Sequence, residues 1–338
     1  MEKRIFTVVI FIWISFFARS AFAQLTNSGE DYSAYIPEAR STNSYLAQMP
    51  QGPSLLTKEV LLATRKYMLP DSSVKLQVKP VVKQIKGSAG NLSLRIFKPA
   101  AVRAVVLSIH GGGFFLGNAG TDDAFHDYLA TTCNVAVVSV DYRLAPENPF
   151  PAGIEDCKAA AKWLVENVKK EFGTDKIFIS GPSAGAHLSA VIAIYIRDSL
   201  HAINKVKGVN LMYGCYDLAR TPSYRKATDS TLMINKRFID ESYQLVFPGW
   251  DQERLQNPQF SPLYADLKNL PPALFTIGTK DPLIDDTYFM EARWRLAGNK
   301  TYLAAYPESP HGFNFFPTKM AAAANKKICD WIMSLCGQ

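Results

Sequence analysis

A nine-residue stretch decides the fold, and from Ile177 to Gly185 it reads Ile-Phe-Ile-Ser-Gly-Pro-Ser-Ala-Gly. Its apolar start predicts a buried strand, and the Ala-rich segment that follows predicts a helix over Ala184–Arg197. Between them stands Gly-x-Ser-x-Gly, which in a strand–turn–helix setting lifts a serine hydroxyl clear of the sheet. Ser183 is therefore a candidate nucleophile, although the same residues would also suit a plain turn with Ser183 as the helix N-cap.

Short apolar runs on either side of this stretch predict further strands. They cover Val81–Ile85, Leu92–Phe97, Ala104–Ile109, Val135–Val140, Val209–Tyr213, Ala273–Ile277 and Tyr302–Ala305. Helical spacing is found at Leu55–Met68, Gly153–Lys169, Thr287–Leu296 and Thr318–Ser334. Apolar strands that alternate with helices predict an α/β fold with a mostly parallel sheet covered on both faces. Reactive residues of such a sheet belong at the carboxyl ends of its strands.

Three glycines follow the predicted strand Ala104–Ile109, in the order His110-Gly111-Gly112-Gly113. Glycines allow the backbone to approach a ligand and to turn its N–H groups into a site. Acyl transfer needs such donors because the carbonyl oxygen becomes an anion on attack. We therefore expect the N–H groups of Gly112, Gly113 and Ala184 to form an oxyanion hole. A flexible glycine turn without this role is the alternative.

The general base and its acid partner are expected in loops after the last two strands. Of the five histidines, His311 alone follows the last strand. The others lie in or beside helices or in the glycine loop, namely His110, His126, His187 and His201. Asp281 follows the preceding strand, although Asp-Pro is also common in plain surface turns. Asp285 and Asp286 compete for the acid role but fit better as cap and first-turn acids of the next helix. The order Ser183, Asp281, His311 is the Ser…Asp…His order of α/β-hydrolases.

One connection is too long to be a bare loop. Residues Cys215–Pro258 lie between two predicted strands and are rich in aromatic residues with helical character. A connection of this size usually carries structure of its own. We interpret it as a lid over the carboxyl edge of the sheet, with an ordinary extra helical layer as the alternative. Gln24–Pro53 is polar and is expected to be extended or loosely ordered and to pack with this lid.

The first 23 residues have the three parts of a secretory signal peptide. Lys3 and Arg4 precede the apolar run Ile5–Phe17, and Ala21-Phe22-Ala23 forms a small-residue cleavage site before Gln24. We therefore expect cleavage after Ala23 and export, to the periplasm or outside the cell. An uncleaved anchor or a buried first helix is the alternative, although the apolar run is short for a bilayer span.

Cleavage would remove three of the 37 basic and one of the 30 acidic residues and leave a net charge of +5. This modest, scattered excess favours solubility and does not indicate a nucleic-acid partner. Five cysteines are present without a metal-ligand spacing. Cys329 and Cys336 share a predicted helix, where about 10 Å separates them, which is too far for a disulfide. We expect buried free thiols for most of the five.

Taken together, these motifs resemble the hormone-sensitive-lipase-like (bacterial family IV) branch of the α/β-hydrolases. The matching segments are His110–Phe114, Asp141–Glu147, Phe150–Ala152, Gly181–Gly185, Ser261–Leu263, Asp281–Leu283 and His311–Phe313. The resemblance spans residues 80–335 or so, within an α/β-hydrolase domain of residues 24–338. It implies a helical cap, with elements expected from about 24–75 and 215–258. Pro182 and Ala186 depart from the family's usual sequence around the nucleophile, Gly-Asp-Ser-Ala-Gly-Gly.

The activity that this resemblance implies is that of a carboxylesterase. Such an enzyme needs no cofactor, acts on a small-molecule ester and often favours short or medium acyl chains. Deacetylation of carbohydrate esters and hydrolysis of lactones would use the same three residues. A non-catalytic ligand-binding protein on the same scaffold is a further alternative, since fold does not determine function. The sequence indicates no oligomeric state and no membrane span once the leader is removed.

Overall fold

A computed structural model describes residues 30–49, 54–70 and 75–337 of the chain. The expected leader, Met1–Ala23, lies outside these ranges. The strands are β1 Val81–Gly87, β2 Gly90–Phe97, β3 Ala104–Ile109, β4 Val135–Val140, β5 Ile177–Pro182, β6 Val206–Met212, β7 Ala273–Gly278 and β8 Thr301–Tyr306. The α-helices are α1 Ile36–Gln48, α2 Lys58–Tyr67, α3 Asp123–Cys133, α4 Ala152–Phe172, α5 Ala184–Asp198, α6 Pro222–Arg225, α7 Lys236–Val246, α8 Gln252–Leu255, α9 Ile284–Leu296 and α10 Lys319–Cys336. No helix in the described ranges has the length and apolar character to cross a bilayer.

The strands form one sheet in the order β1-β2-β4-β3-β5-β6-β7-β8. The pairs β1–β2 and β2–β4 are antiparallel, whereas every pair from β4 to β8 is parallel. The predicted α/β class with a mostly parallel sheet is therefore confirmed. Parallel strands share one direction, so β3, β5, β7 and β8 end at the same edge, which we call the carboxyl edge.

Helices cover both faces of the sheet because the strands are apolar on both sides. In β3, Val105 and Leu107 belong to one core cluster, and the intervening Val106 belongs to the other. Side chains of α4, α5 and α9 complete the first cluster, whereas α3 and α10 complete the second. This alternation follows from the two-residue period of a strand. The loops at the carboxyl edge are consequently the places where reactive residues are expected.

The N-terminal region is more regular than its composition predicts. Residues 36–48 form α1, so the expectation of an extended or loosely ordered segment was wrong there. Asn43 donates a side-chain hydrogen bond to the Glu308 carbonyl at 2.7 Å, and Glu38 accepts one from the Lys319 backbone at 2.8 Å. These contacts with distant parts of the chain stabilise a helix whose own sequence is only weakly amphipathic.

Two cysteines are joined although no pair was predicted. A disulfide links Cys133, the last residue of α3, with Cys329 in α10, and the two Cα atoms are 6.0 Å apart. The two helices lie side by side on one face of the sheet, which brings together residues 196 positions apart in sequence. Cys157, Cys215 and Cys336 are free, so Cys329 and Cys336 are not paired with each other.

Candidate active site

Ser183 stands at the end of β5, where the chain turns sharply into α5. Its backbone has φ 55° and ψ −121°, a conformation that is unfavourable for serine and typical of strained functional turns. The tightness of this turn explains the glycine at position 185. A Cβ atom there would lie 1.9 Å from the Ile109 carbonyl oxygen of the neighbouring strand. The turn holds the Ser183 side chain at the N-terminus of α5, as the sequence predicted.

The three residues of the expected triad are joined by two hydrogen bonds. His311 Nε2 lies 2.9 Å from Ser183 Oγ, and His311 Nδ1 lies 2.8 Å from Asp281 Oδ2. The other Asp281 oxygen accepts a hydrogen bond from the Leu283 N–H at 2.9 Å, which holds the carboxylate in place. Asp281 is 2% exposed and His311 is 8% exposed, so bulk water scarcely competes for these bonds. A base that is oriented in this way can take the serine proton.

Asp285 and Asp286 bind backbone N–H groups of the long connection, a role that the sequence did not indicate. Both lie in the first turn of α9, as expected, but the N-cap residue of that helix is Leu283. The buried Asp286 accepts hydrogen bonds from the backbone N–H groups of Tyr216 and Asp217, at 2.7 and 2.9 Å. Asp285 accepts one from the Ser223 backbone at 2.7 Å. The two carboxylates therefore anchor the start of the long connection, residues 215–258.

The glycine loop lies directly against the serine turn. A Cβ atom on Gly111 would lie 3.6 Å from Ser183 Cβ, and one on Gly112 would lie 2.3 Å from the Leu116 carbonyl oxygen. Gly112 has φ +107°, which other residues rarely adopt. Among the described residues, the N–H groups of Gly112, Gly113 and Ala184 find no hydrogen-bond acceptor. They are thus free to bind an oxyanion near Ser183.

Tyr142 supports the glycine loop, a role that the sequence did not reveal. Its hydroxyl donates to the His110 carbonyl at 2.9 Å, and its ring stacks on the His110 ring with centroids 4.1 Å apart. The Ala145 N–H donates to the Phe114 carbonyl at 3.0 Å. Burial lowers the pKa of His110 to about 4, so its ring is neutral near pH 7. The Tyr-Arg-Leu-Ala-Pro-Glu segment is the signal that could have indicated this scaffold.

The rings of His187 and His126 are buried and have partners other than Ser183. His187 is fully buried in α5, where its Nδ1 lies 2.6 Å from the Cys215 carbonyl oxygen. His126 is buried between α3 and β3 and contacts Ser108 Oγ at 2.8 Å. Burial lowers the pKa of His187 to about 4 and that of His126 to about 3. No group of three or more His, Cys, Asp or Glu side chains within the described ranges suits a metal ion.

A cavity of about 570 Å³ opens at Ser183 and His311. The connection 215–258 contributes a large part of its wall, namely Cys215, Leu218, Tyr224, Met233, Ile234, Phe238, Ser242, Tyr243 and Phe247. Met68, just after α2, lines it from the N-terminal side. The wall is mainly apolar, with few polar side chains besides Ser183 and His311. An apolar wall with a few polar groups is typical of a site for a partly apolar small molecule.

A protein-family model described as the alpha/beta hydrolase fold matches residues 106–315, which is more than half of the chain. The chain belongs to the α/β-hydrolase family. This confirms the resemblance to the hormone-sensitive-lipase-like branch that the motifs indicated. The match covers Ser183, Asp281, His311 and the glycine loop.

Named relatives of this α/β-hydrolase are esterases. Carboxylesterase NlhH of Mycobacterium tuberculosis is 35% identical over 247 residues, which are 69% of this chain and 75% of that protein. Carboxylic ester hydrolase LipN of the same species is 31% identical and covers 80% of this chain and 75% of its own. A hyperthermophilic esterase from Pyrobaculum calidifontis superposes with a TM-score of 0.77 at 30% identity, over 88% of this chain and 97% of its own.

Proposed function

We propose that the protein is a serine carboxylesterase that hydrolyses short- to medium-chain acyl esters through an acyl-enzyme intermediate. The observation that carries the proposal is the line of hydrogen bonds from Asp281 through His311 to Ser183 at the mouth of an apolar cavity. The names of the relatives, carboxylesterase and carboxylic ester hydrolase, support it.

The reaction would proceed in two balanced steps. In the first, His311 Nε2 takes the Ser183 proton while Ser183 Oγ attacks the ester carbonyl carbon, and the same proton then leaves with the alcohol. The N–H groups of Gly112, Gly113 and Ala184 would hold the oxyanion. In the second step, His311 takes a proton from water, the hydroxide attacks the acyl-enzyme, and the proton returns to Ser183 as the acid departs. Asp281 holds the imidazole ring and stabilises its charged form.

The preference for short or medium acyl chains is what the family resemblance implies, and a bounded cavity is compatible with it. The cavity has a volume of about 570 Å³, and its apolar wall comes largely from residues 215–258 and from Met68. These two regions would act as the cap over the active site. The Leu55 N–H donates to Glu241 Oε2 at 2.9 Å, which ties the N-terminal region to α7. A p-nitrophenyl ester series from acetate to palmitate should therefore show a maximum of kcat/KM among the shorter chains.

Replacement of the nucleophile tests the proposal. We expect Ser183→Ala to lower kcat for p-nitrophenyl butyrate by about 10³-fold or more, because the covalent step is lost. Ser199→Ala is the matched control, because this exposed serine lies beyond the far end of the same helix. Labelling by a fluorophosphonate should occur in the wild type and disappear in Ser183→Ala. Undiminished hydrolysis by Ser183→Ala would refute the role of Ser183, and an unlabelled wild type would indicate a ligand-binding protein instead.

We further propose that the protein is exported, to the periplasm or outside the cell. The charged, apolar and small-residue parts of residues 1–23 support this proposal. So does the Cys133–Cys329 disulfide, because such bonds persist mainly in oxidising compartments. Amino-terminal sequencing of the protein from a bacterial host should begin at Gln24. A mature protein that still begins at Met1 would contradict the cleavage.

A further inference from the structure

Asp122 is a buried carboxyl group that does not cap the helix it precedes. It occupies the N-cap position of α3, where a carboxylate ordinarily accepts a hydrogen bond from the first helical turn. The side chains of Asn235, Asp251 and Thr318 do so at α7, α8 and α10. The Asp122 side chain makes no such bond. Asp122 is therefore a residue of a type that suits capping, but its carboxyl group does not cap α3.

The surroundings of Asp122 offer it no partner. Asp122 is 6% exposed, and its carboxyl has no hydrogen bond or ion pair with any residue that the structure describes. The nearby Arg95 is already engaged, because its guanidinium binds both oxygens of Asp123, at 2.8 and 2.5 Å. Burial, and to a smaller extent the Asp123 charge, raise the pKa of Asp122 to about 7. An ionised carboxyl in such a place destabilises the folded chain unless water in the cavity or a ligand provides a partner.

Asp122 belongs to the wall of the cavity into which the nucleophile opens. Asp122 lines the cavity together with Ser183 and His311, and it is the one carboxyl group among the described residues that do so. Aromatic rings form much of the remaining wall, namely Phe114, Tyr213, Tyr224, Phe238, Tyr243, Phe247 and Phe315. A carboxylate beside aromatic rings is the combination that binds organic ammonium ions, through an ion pair and through cation–π attraction.

We propose that Asp122 selects ester substrates that carry a protonated amine, which it binds inside the cavity while Ser183 attacks the ester. The inference rests on the proposed esterase function and names the substrate class for it. A neutral hydroxyl group would also donate a hydrogen bond to Asp122, but it would not provide a counter-charge for the ionised carboxyl. An ammonium group forms an ion pair with the ionised carboxyl and contacts the aromatic wall as well. The substrate is therefore an amino ester.

Pairs of esters that differ in a single group test this preference in the wild-type enzyme. For the alcohol part, 2-(dimethylamino)ethyl butyrate is compared with its carbon isostere, 3-methylbutyl butyrate. For the acyl part, ethyl 4-(dimethylamino)butanoate is compared with ethyl 5-methylhexanoate. Without a partner, an ammonium ion enters an apolar cavity unfavourably. We expect the amino ester of at least one pair to have a kcat/KM at least equal to that of its isostere near neutral pH.

The contribution of Asp122 is measured by Asp122→Asn, which keeps the size of the side chain and removes its charge. We expect the ratio of kcat/KM between amino ester and isostere to fall by about 10- to 100-fold, the range of a hydrogen bond to a charged partner. Asp175→Asn is the matched control. Asp175 is exposed at the amino end of β5, on the edge opposite Ser183, so the ratio should not change. Thermal unfolding of each variant checks that it is folded.

The outcomes separate the two proposals. Hydrolysis of the isosteres with a wild-type preference against both amino esters would overturn the role of Asp122 and leave the esterase function intact. An equal ratio in the wild type and in folded Asp122→Asn would overturn it as well. No Ser183-dependent hydrolysis of any ester, p-nitrophenyl butyrate included, would instead refute the proposed function itself.

Discussion

The carboxyl edge of the sheet and the connection 215–258 meet at the same cavity but are built differently. At the edge, polar contacts hold each reactive group, as with Asp281, which binds both His311 and the Leu283 N–H. Beyond its anchored start, the connection also packs through aromatic rings, as with Phe247, which contacts the rings of Phe150 and Trp250. Hydrogen bonds fix directions, whereas apolar packing mainly fills volume. We infer that the edge determines the chemistry and that the connection determines which substrates fit.

Several polar contacts join the two regions at the base of the connection, and Asp285 and Asp286 make five of them. Asp286 receives the Tyr216 and Asp217 N–H groups at the start of the connection. His187 makes another contact, through the Cys215 carbonyl. Hydrogen bonds therefore hold the connection at its base, near β6, whereas apolar packing holds the part that lies over the cavity. Substitutions at the edge should change kcat, and substitutions in the connection should change stability or chain-length preference.

Among the substitutions that compare the two regions, the largest effect is expected from paired glycine substitutions, one in each region. Gly112→Ala would place a Cβ atom 2.3 Å from the Leu116 carbonyl oxygen, so the loop must shift and its N–H donors with it. We expect kcat for p-nitrophenyl butyrate to fall by about 10²- to 10³-fold, as on loss of an oxyanion donor. The variant should remain folded by circular dichroism.

Gly249→Ala is the matched change in the connection. Gly249 also has a positive φ, +75°, but no atom lies within 4 Å of the added Cβ, and the residue does not line the cavity. Backbone strain in Gly249→Ala should lower the free energy of unfolding by about 1–2 kcal/mol. Equal losses of kcat in the two variants would show that the regions do not differ as described.

An intermediate effect is expected where the two regions touch, at His187. Burial lowers the pKa of His187 to about 4, whereas the unfolded chain has the ordinary value near 6.5. Between these values the unfolded chain binds a proton that the folded chain does not, so the free energy of unfolding falls as the pH falls. His187→Asn keeps a donor for the Cys215 carbonyl and removes this titration.

Denaturant unfolding at pH 6.5 and pH 4 measures this difference. From pH 6.5 to pH 4, the free energy of unfolding should fall by about 3 kcal/mol more in the wild type than in His187→Asn. A single titrating group changes this free energy by at most about 1.4 kcal/mol per pH unit. His201→Asn, a change at an exposed histidine, is the control and should follow the wild type. Parallel pH profiles for wild type and His187→Asn would mean that His187 is not held neutral by the packing.

The smallest expected effect is that of Tyr243→Phe in the connection. The Tyr243 hydroxyl donates to the Leu218 carbonyl at 2.5 Å, and its ring lines the cavity. Loss of this bond should lower the free energy of unfolding by about 1 kcal/mol. It should also change KM along the acyl-chain series while kcat for the shortest ester stays near the wild-type value. A large fall in kcat with an unchanged KM would place Tyr243 in the chemistry instead.

The strands and the positions of Ser183, Asp281 and His311 could be predicted because their signals are local. Apolar runs with β-branched residues identify each strand, and the residue after a parallel strand lies at the carboxyl edge. Asp285 and Asp286 show the limit of this reasoning. Their place in the first turn of α9 was foreseen, but their hydrogen bonds to residues 216, 217 and 223 depend on how the connection folds back.

By itself, the sequence determined the α/β class, the order of the strands along the chain and the residues that each strand delivers to the carboxyl edge, because hydrophobic periodicity and turn chemistry act over a few residues. Only the tertiary structure decided the formation of α1, the pairing of Cys133 with Cys329 and the placement of Asp122 in the cavity. Each of these depends on contacts between residues far apart in the chain. No local pattern encodes which distant neighbour a side chain will meet.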